Sequence, residues 1–161
     1  MNFIENTELF LFKNSFTIIS KDISKPWGGF FLIEEKQSIK FLNFFFNRSK
    51  FKKIDSKLKL TPKILVIKPN KRLSWQYHNR RSEIWSVIKG DILVSRSQND
   101  NEGSLIQLKK GEQIEIANKI RHRIIGTDDY ALVAEIWIHT DKSNPSDEND
   151  IIRLQDDFNR N

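Results

Sequence analysis

The stretch NKRLSWQYHNRRSEIWSVIKG, residues 70–90, decides the fold. Gln76 and His78 stand two residues apart, and Glu83 follows five residues later. Because alternate residues of a β-strand point to one face, an extended stretch places the Gln76 and His78 side chains together. An amide oxygen, an imidazole and a carboxylate are all donors that divalent metals accept. The stretch therefore predicts a metal site on a β-structure, with an ordinary polar strand as the alternative.

A second imidazole comes from His122, in the run NKIRHRIIG. The chain has only three histidines and no cysteine, so thiolate ligands and disulfides are excluded. Zinc accepts a set of histidine and carboxylate ligands, and manganese, iron or nickel would tolerate the same set. The sequence therefore leaves the identity of the metal open.

Residues 61–139 are organised as short β-prone runs. Turn signals such as Gly90-Asp91 and Lys110-Gly111 separate these runs, and a spacing of about 8–12 residues is typical of a sandwich or barrel. We predict an all-β fold, a single small antiparallel β-barrel, with residues 24–33 as an added outer strand. The phenylalanine-rich segment IKFLNFFFNRSKF, residues 39–51, predicts a short helix packed on this domain.

Composition narrows the class of protein. The chain has 161 residues, a net charge of +6 and 38% apolar residues, which indicates one globular domain. It has no apolar run long enough for a membrane helix, no secretory leader and no nucleic-acid-binding signature. We therefore expect a cytoplasmic protein with neither a membrane nor a nucleic acid as partner. Its positive charge suits a small anionic molecule equally well.

The spacing of these residues resembles the two motifs of the cupin superfamily. The first motif runs from Asn70 to Gly90 and the second from Gly111 to His122. The chain differs from the general pattern at four positions. Asn70 and Lys119 stand where glycine is usual, Ala117 stands where proline is usual, and Gln76 stands where the first histidine is usual. Asparagine tolerates left-handed backbone, so the change at Asn70 is mild.

The Gln-x-His pair is a feature of the phosphomannose isomerases. More of the chain is similar to the type II, or cupin-type, mannose-6-phosphate isomerases, through KPWGGF, IKPNKRLSWQYHNRRSEIW, KGEQIEIANKIRHRI, LVAEIW and DIIRLQDDF. This resemblance implies a double-stranded β-helix, or jelly-roll. These isomerases also occur fused behind mannose-1-phosphate guanylyltransferases, and because the sequence shows no nucleotidyltransferase domain we expect a stand-alone form. It divides the chain into an N-terminal helical or irregular extension 1–23, a cupin domain 24–158 with an insertion at 36–60, and a tail 159–161.

The resemblance also implies site residues and a reaction. A divalent metal, Zn²⁺ by analogy, would be held by Gln76, His78, Glu83 and His122. The implied reaction is an aldose–ketose isomerisation, from mannose 6-phosphate to fructose 6-phosphate or of a related phosphorylated small sugar. The catalytic candidates are Glu135, an acid inside an apolar strand, and Arg153 in the tail. The candidate substrate-binding residues are Lys25, Arg72, Arg81 and Arg123. A homodimer is compatible with this assignment.

Other interpretations stay open at this level. A non-catalytic cupin that binds a sugar or sugar nucleotide would keep the fold with a structural or vacant metal site. An isomerase for another phosphosugar is a further candidate, whereas an epimerase of this fold would use a His–Asp pair that the ligand set disfavours. If the tail folds over the barrel mouth, Arg153 is expected in the same pocket as His78 and His122. The tryptophans are predicted in the core or at the barrel mouth, and His139 has no assigned role.

Overall fold

The computed structural model describes residues 1–50, 54–55 and 57–160. Within these ranges, eleven strands form two sheets in which every paired strand runs antiparallel. The six-stranded sheet has the order β1-β2-β3-β10-β5-β8, with β1 Ile18–Lys25, β2 Gly28–Ile33, β3 Leu60–Ile67, β10 Ala131–His139, β5 Arg81–Lys89 and β8 Gln113–Ile116. The five-stranded sheet has the order β11-β4-β9-β6-β7, with β11 Ile152–Gln155, β4 Trp75–Tyr77, β9 Arg121–Gly126, β6 Ile92–Ser97 and β7 Leu105–Leu108.

The predicted all-β fold is confirmed, with one refinement. Among the described residues, the strand hydrogen bonds make two facing sheets of the jelly-roll type and do not close into one barrel. The predicted outer strand is present as β2, which pairs with β3, and β1 extends the sheet by one further strand. In the same ranges, no helix is both long enough and apolar enough to cross a membrane.

Two helices cover the outer face of the six-stranded sheet. Helix α1, Phe3–Lys13, begins at a capping box between Asn2 and Glu5, which supplies partners for otherwise unpaired backbone N–H groups. Helix α2, Ser38–Phe45, confirms the predicted helix, and the Phe51 end of that segment lies outside the described residues. Both helices bury apolar side chains against the even-numbered residues of β10, in a cluster that includes Leu11, Phe41, Leu42, Ala134 and Ile136.

The odd-numbered residues of β3, β5 and β10 point into the space between the two sheets. This follows from the two-residue repeat of a strand, since Ile84 belongs to the outer cluster and Trp85 to the inner one. The inner cluster is apolar at one end, where Ile67, Val87 and Val133 pack together. At the other end the same strands carry charged side chains, and the candidate site lies there.

Two of the motif positions that lack the usual glycine adopt left-handed backbone. Asn70 has φ 55° and Lys119 has φ 66°. The Lys119 amide donates to the backbone oxygen of His78 at 2.7 Å, which ties this turn to the candidate site. The left-handed geometry typical of the motif is therefore kept although the residues differ.

Candidate metal centre

Three buried side chains converge between the sheets. His78 follows β4, Glu83 lies in β5 and His122 lies in β9, so the fold brings His122 to two residues that precede it by about forty positions. The Nε2 atom of His78 lies 3.1 Å from Glu83 Oε1, and the Nε2 atom of His122 lies 3.6 Å from Glu83 Oε2. Candidate ligand atoms of the three residues all lie within 4.8 Å of one another. This spacing allows them to share one cation.

The hydrogen bonds of the two histidines orient both rings toward Glu83. Nδ1 of His78 lies 3.0 Å from the backbone oxygen of Asp150, and Nδ1 of His122 lies 2.8 Å from that of Ile120. A carbonyl oxygen only accepts, so Nδ1 is the donor of each ring. In the neutral form of each ring, Nε2 then has a lone pair that faces the centre. Such a second hydrogen bond is the usual companion of a metal-ligating histidine.

His122 provides the clearest indication of a missing partner. Its Nε2 atom is buried and has no hydrogen-bond partner within the described part of the chain. Burial lowers the pKa of His122 to about 4, although the nearby Glu83 carboxylate acts in the opposite direction. The ring is therefore neutral near pH 7, which is the form that binds a metal. The donor set fits a divalent cation.

Gln76 lies beside this centre. It faces His122 directly across the β4–β9 pairing, and directly opposed residues share one face of a sheet. Its side-chain oxygen accepts a hydrogen bond from Ser74 Oγ at 2.5 Å, which orients the amide. The amide oxygen has a second lone pair, so this contact leaves Gln76 able to act as a further ligand.

Arg81 competes for the same donor atoms. Its Nε donates to Glu83 Oε1 at 2.8 Å, and its terminal nitrogen lies 3.2 Å from His78 Nε2. Burial opposes ionisation of Glu83, but His78 and the Arg81 guanidinium hold the pKa of this carboxyl well below its usual range. The Nε2 lone pair of His78 can accept a hydrogen bond from Arg81 or bind a metal, but not both at once. A metal bound to His78 would therefore have to displace this Arg81 hydrogen bond.

Glu135 is the second buried acid of the site. It faces Lys63 and Trp85 across the β10 pairings. The Trp85 Nε1 group donates to Glu83 Oε2 at 3.1 Å and to Glu135 Oε1 at 3.2 Å, so it bridges the two acids. Burial and the neighbouring Glu83 raise the pKa of Glu135 to about 8. Glu135 therefore lies at the polar end of the space between the sheets, with Lys63 and Trp85 as partners.

Lys63 is a buried cation that the sequence reasoning missed. Its Nζ and the Arg81 Cζ each lie 3.5 Å from the Trp137 ring centroid, so both cations contact the indole. Burial lowers the pKa of Lys63, while Glu135 and Glu148 act in the opposite direction. A lysine inside the apolar run KILVIK carries the same signal that singled out Glu135.

These groups border a cavity at the polar end of the space between the sheets. Its volume is about 80 Å³. Among the described residues, its charged lining consists of five bases and three acids, which are Lys25, Lys63, Arg81, Arg153, Arg160, Glu83, Glu135 and Glu148. The excess of bases suits an anionic molecule.

The tail contributes Arg153 to this cavity. Strand β11 pairs with β4 and places Arg153 opposite Gln76, which is itself opposite His122. The predicted docking of the tail is therefore present. The expectation that Arg153 shares a pocket with His78 and His122 is not met, because neither histidine is among the described residues that line this cavity. Arg153 shares the cavity lining with Gln76 and Glu83, two of the four predicted ligands.

The other predicted substrate-binding residues divide into two groups. Lys25 lines the cavity and pairs with Asp22 at 3.1 Å. Arg72 lies elsewhere and forms a two-bond ion pair with Asp157. Arg123 is also directed away from the centre, because it follows His122 on β9 and so points to the opposite face.

Arg123 has partners on that outer side. Its guanidinium donates to Glu102 and to Gln155, and its Nε donates to the backbone oxygen of Leu73 at 3.0 Å. The structure therefore gives Arg72 and Arg123 structural partners and does not bring them to the cavity.

The four tryptophans are buried, as the sequence predicted. Trp27 and Trp137 line the cavity, and Trp85 bridges the two acids. Trp75 donates from Nε1 to the backbone oxygen of Asp100 at 2.7 Å. His139, which had no predicted role, lies between Thr61 Oγ1 at 2.7 Å and the Ser146 amide at 3.0 Å.

Comparison with solved structures defines the class of fold. A single-residue variant of oxalate decarboxylase from B. subtilis aligns with 84% of this chain and 30% of its own length, with 13% identity and a TM-score of 0.58. Vicilin from Solanum lycopersicum (tomato) aligns with 79% of this chain and 32% of its own length, with 18% identity and a TM-score of 0.53. The chain spans about a third of the length of these structures, and at this identity the likeness concerns the fold. The protein has the cupin fold that the sequence predicted.

A family comparison is more specific. The profile described as Mannose-6-phosphate isomerase C-terminal matches residues 34–156. The chain belongs to this family, and the match spans every predicted metal ligand. A comparison with curated proteins found no match.

Proposed function

We propose that the chain is a metal-dependent sugar-phosphate isomerase that interconverts mannose 6-phosphate and fructose 6-phosphate, or a closely related aldose–ketose pair. The observation that carries this proposal is the convergence of His78, Glu83 and His122 beside a cavity lined mainly by basic residues. Membership of the Mannose-6-phosphate isomerase C-terminal family supports it.

The metal would be held by Gln76, His78, Glu83 and His122, with Zn²⁺ as the preferred ion for this donor set. When bound, a divalent ion supplies Lewis acidity, which polarises substrate oxygens and favours loss of a proton next to a carbonyl. The fixed Nδ1 protons of both histidines keep the two Nε2 donors directed at one point. Glu83 contributes the negative charge of the ligand set.

Glu135 is the proposed base for proton transfer between C1 and C2 of the sugar. Its carboxyl lines the cavity, and a pKa raised to about 8 lies near the working range of a general base. Lys63 lies opposite Glu135 and supports the ionised form with its positive charge.

Arg153 and Lys25 are the proposed anchors for the phosphate group. Both line the cavity, and they approach it from different elements, β11 and β1. A guanidinium binds phosphate oxygens through paired hydrogen bonds, whereas an ammonium acts as a compact charge. Anchoring the phosphate at a distance from the metal would place the reacting carbons between them.

A second candidate function is a non-catalytic cupin that binds a sugar or sugar nucleotide. Two observations favour it. Arg81 already uses the lone pair of His78 that a metal requires. The cavity of about 80 Å³ is also smaller than the roughly 300–1,000 Å³ of most ligand pockets. A sugar phosphate would have to displace side chains such as Glu148, which is 69% exposed.

Metal analysis combined with an activity screen distinguishes the two candidates. Purified protein is assayed for bound divalent metal and for turnover of hexose and heptose phosphates, with and without a chelator. We expect about one zinc-like ion per chain and an isomerase activity that the chelator abolishes and added metal restores. Protein that neither carries nor takes up a metal would contradict the isomerase proposal, and sugar binding without turnover would favour the binding module.

A further inference from the structure

The loop between β10 and β11 packs against the candidate metal centre from outside. Its residues 146–150, here called the strap, include two buried polar residues, Ser146 and Asp150. The mechanism proposed above does not use either of them. Their partners, however, are the backbone and side chains that hold His78 and Arg81.

Asp150 makes three hydrogen bonds to the segment carrying His78 and a fourth to Ser146 within the strap. Its backbone oxygen lies 3.0 Å from His78 Nδ1 and receives the ring proton. Its carboxylate accepts from the backbone amides of Asn79 and Arg80, each at 3.0 Å. The same carboxylate accepts from the Ser146 hydroxyl at 2.6 Å. Asp150 thus fixes both the ring of His78 and the turn that follows it.

Ser146 extends this network to Arg81. Its hydroxyl proton is donated to Asp150, and its oxygen accepts from the Arg81 guanidinium at 2.9 Å. The Ser146 amide donates to His139 Nδ1 at 3.0 Å, which ties the strap to the end of β10. The strap therefore holds both Arg81, which competes with a metal, and His78, the ligand for which Arg81 and the metal compete.

We propose that Asp150 is a positioning residue of the metal centre, and that docking of the strap and binding of a divalent metal are coupled. Asp150 sets the Nδ1-protonated form of His78 and, through Ser146, the position of the Arg81 guanidinium. The inference rests on the metal site of the proposed function. Because coupling between two binding events is reciprocal, metal binding also stabilises the docked strap.

The test compares full-length wild type with Asp150→Ala and Asp150→Asn. Zn²⁺ dissociation constants are measured by competition with a chromophoric chelator, and folding is monitored by circular dichroism. Both substitutions keep the backbone oxygen that meets His78 and remove or weaken the carboxylate that holds the turn at Asn79 and Arg80. Loss of a group that supports a metal-ligating histidine typically weakens metal binding by roughly 10–100-fold. We expect a loss of this size in both Asp150 variants. Asp147→Asn is the matched control, since this exposed carboxylate of the strap pairs with Arg80 at 3.2 Å. It should change the constant less than about 3-fold.

Two further readouts separate positioning from a merely structural role. In metal-free protein, ¹⁵N spectra of the imidazoles should show His78 protonated at Nδ1 in wild type. Asp150→Asn should show a mixture of both forms, because the weakened anchor at Asn79 and Arg80 no longer holds the ring against the backbone oxygen of residue 150. In wild type, Zn²⁺ should slow amide hydrogen exchange of Asn79 and Arg80 more than that of residues in β7. This second readout does not depend on the folding of any variant.

Each outcome has a distinct meaning. Wild type without Zn²⁺ affinity would overturn the proposed metal site and the coupling, while the imidazole spectra would still test Asp150 as the group that orients His78. Wild-type Zn²⁺ binding with unchanged constants in folded Asp150 variants would overturn the inference and leave the proposed function standing. Unchanged exchange at Asn79 and Arg80 on adding Zn²⁺ would equally overturn the coupling.

Discussion

The two ends of the space between the sheets are built by the same strands but serve different purposes. At one end the strands bury apolar residues, and two or four residues further along they bury titratable ones. The pairs are Ile67 and Lys63 on β3, Val87 and Glu83 on β5, Val133 and Glu135 on β10, and Ile124 and His122 on β9. Stability and chemistry are thus separated along each strand within a single domain.

The difference between the ends has a physical cause. Buried apolar surface stabilises a fold by about 25 cal/mol per Å², whereas buried charges carry a desolvation cost that their partners only partly offset. The polar end is therefore held in place by the rest of the molecule. The outer cluster beneath α1 and α2 adds a second apolar region on the other face of the six-stranded sheet.

The largest expected effect comes from the apolar end. We expect Ile67→Ala to lower the free energy of unfolding by about 2–5 kcal/mol, because Ile67 is fully buried and the substitution leaves a cavity. Urea denaturation at neutral pH measures this change. The metal content and the turnover per folded molecule should stay at wild-type values. A variant that lost metal while keeping its stability would show that the two ends are not separate.

At the polar end, Arg153→Ala should have the opposite profile. We expect it to fold and to bind metal as wild type does while its turnover falls roughly 100–1000-fold, equivalent to about 3–4 kcal/mol of transition-state stabilisation. Steady-state kinetics with the substrate found in the screen measures the change. Arg72→Ala is the matched control, since Arg72 forms its ion pair with Asp157 away from the cavity. Wild-type turnover of Arg153→Ala would remove this residue from the chemistry, and loss of folding would make the tail a structural element.

Local sequence patterns predicted most of the fold and the centre of the site. Alternation and turn residues identified the strands, and the short spacing from Gln76 to Glu83 keeps those candidates close whatever the rest of the chain does. The sequence predicted His122 as a ligand because the second motif, from Gly111 to His122, has a fixed length. The helix around Phe41 followed from its cluster of phenylalanines.

What the sequence did not reveal depends on contacts between distant segments. Arg123 and Arg153 have the same chemistry, but Arg123 follows an inward-facing histidine and is therefore directed outward, which the composition of the run does not show. Asp150 lies in a loop without periodicity, and its role depends on a pairing with a turn 70 residues away, at Arg80. Lys63 was overlooked although its apolar surroundings carried a usable signal.

The turns at the two ends provide the smallest and sharpest comparison. Near the apolar end, left-handed positions are taken by Gly90 and Gly111, with φ 70° and 89°. Near the polar end, Lys119 takes such a position with φ 66° and holds the backbone oxygen of His78. A residue with a side chain pays about 1–2 kcal/mol to adopt this conformation, a cost that glycine does not have. Glycine in turn loses more conformational freedom on folding, which costs roughly 0.5–1 kcal/mol.

We therefore expect Lys119→Gly to raise the free energy of unfolding by about 0.5–1 kcal/mol, as the difference between these two contributions. Lys110→Gly is the matched control, because Lys110 is exposed, precedes Gly111 and does not have a positive φ. That substitution should lower stability by up to about 1 kcal/mol, since it brings only the entropic cost. Urea denaturation of the two variants side by side measures the contrast. Equal effects would show that the turn beside His78 carries no strain, and that the polar end is no less relaxed than the apolar end.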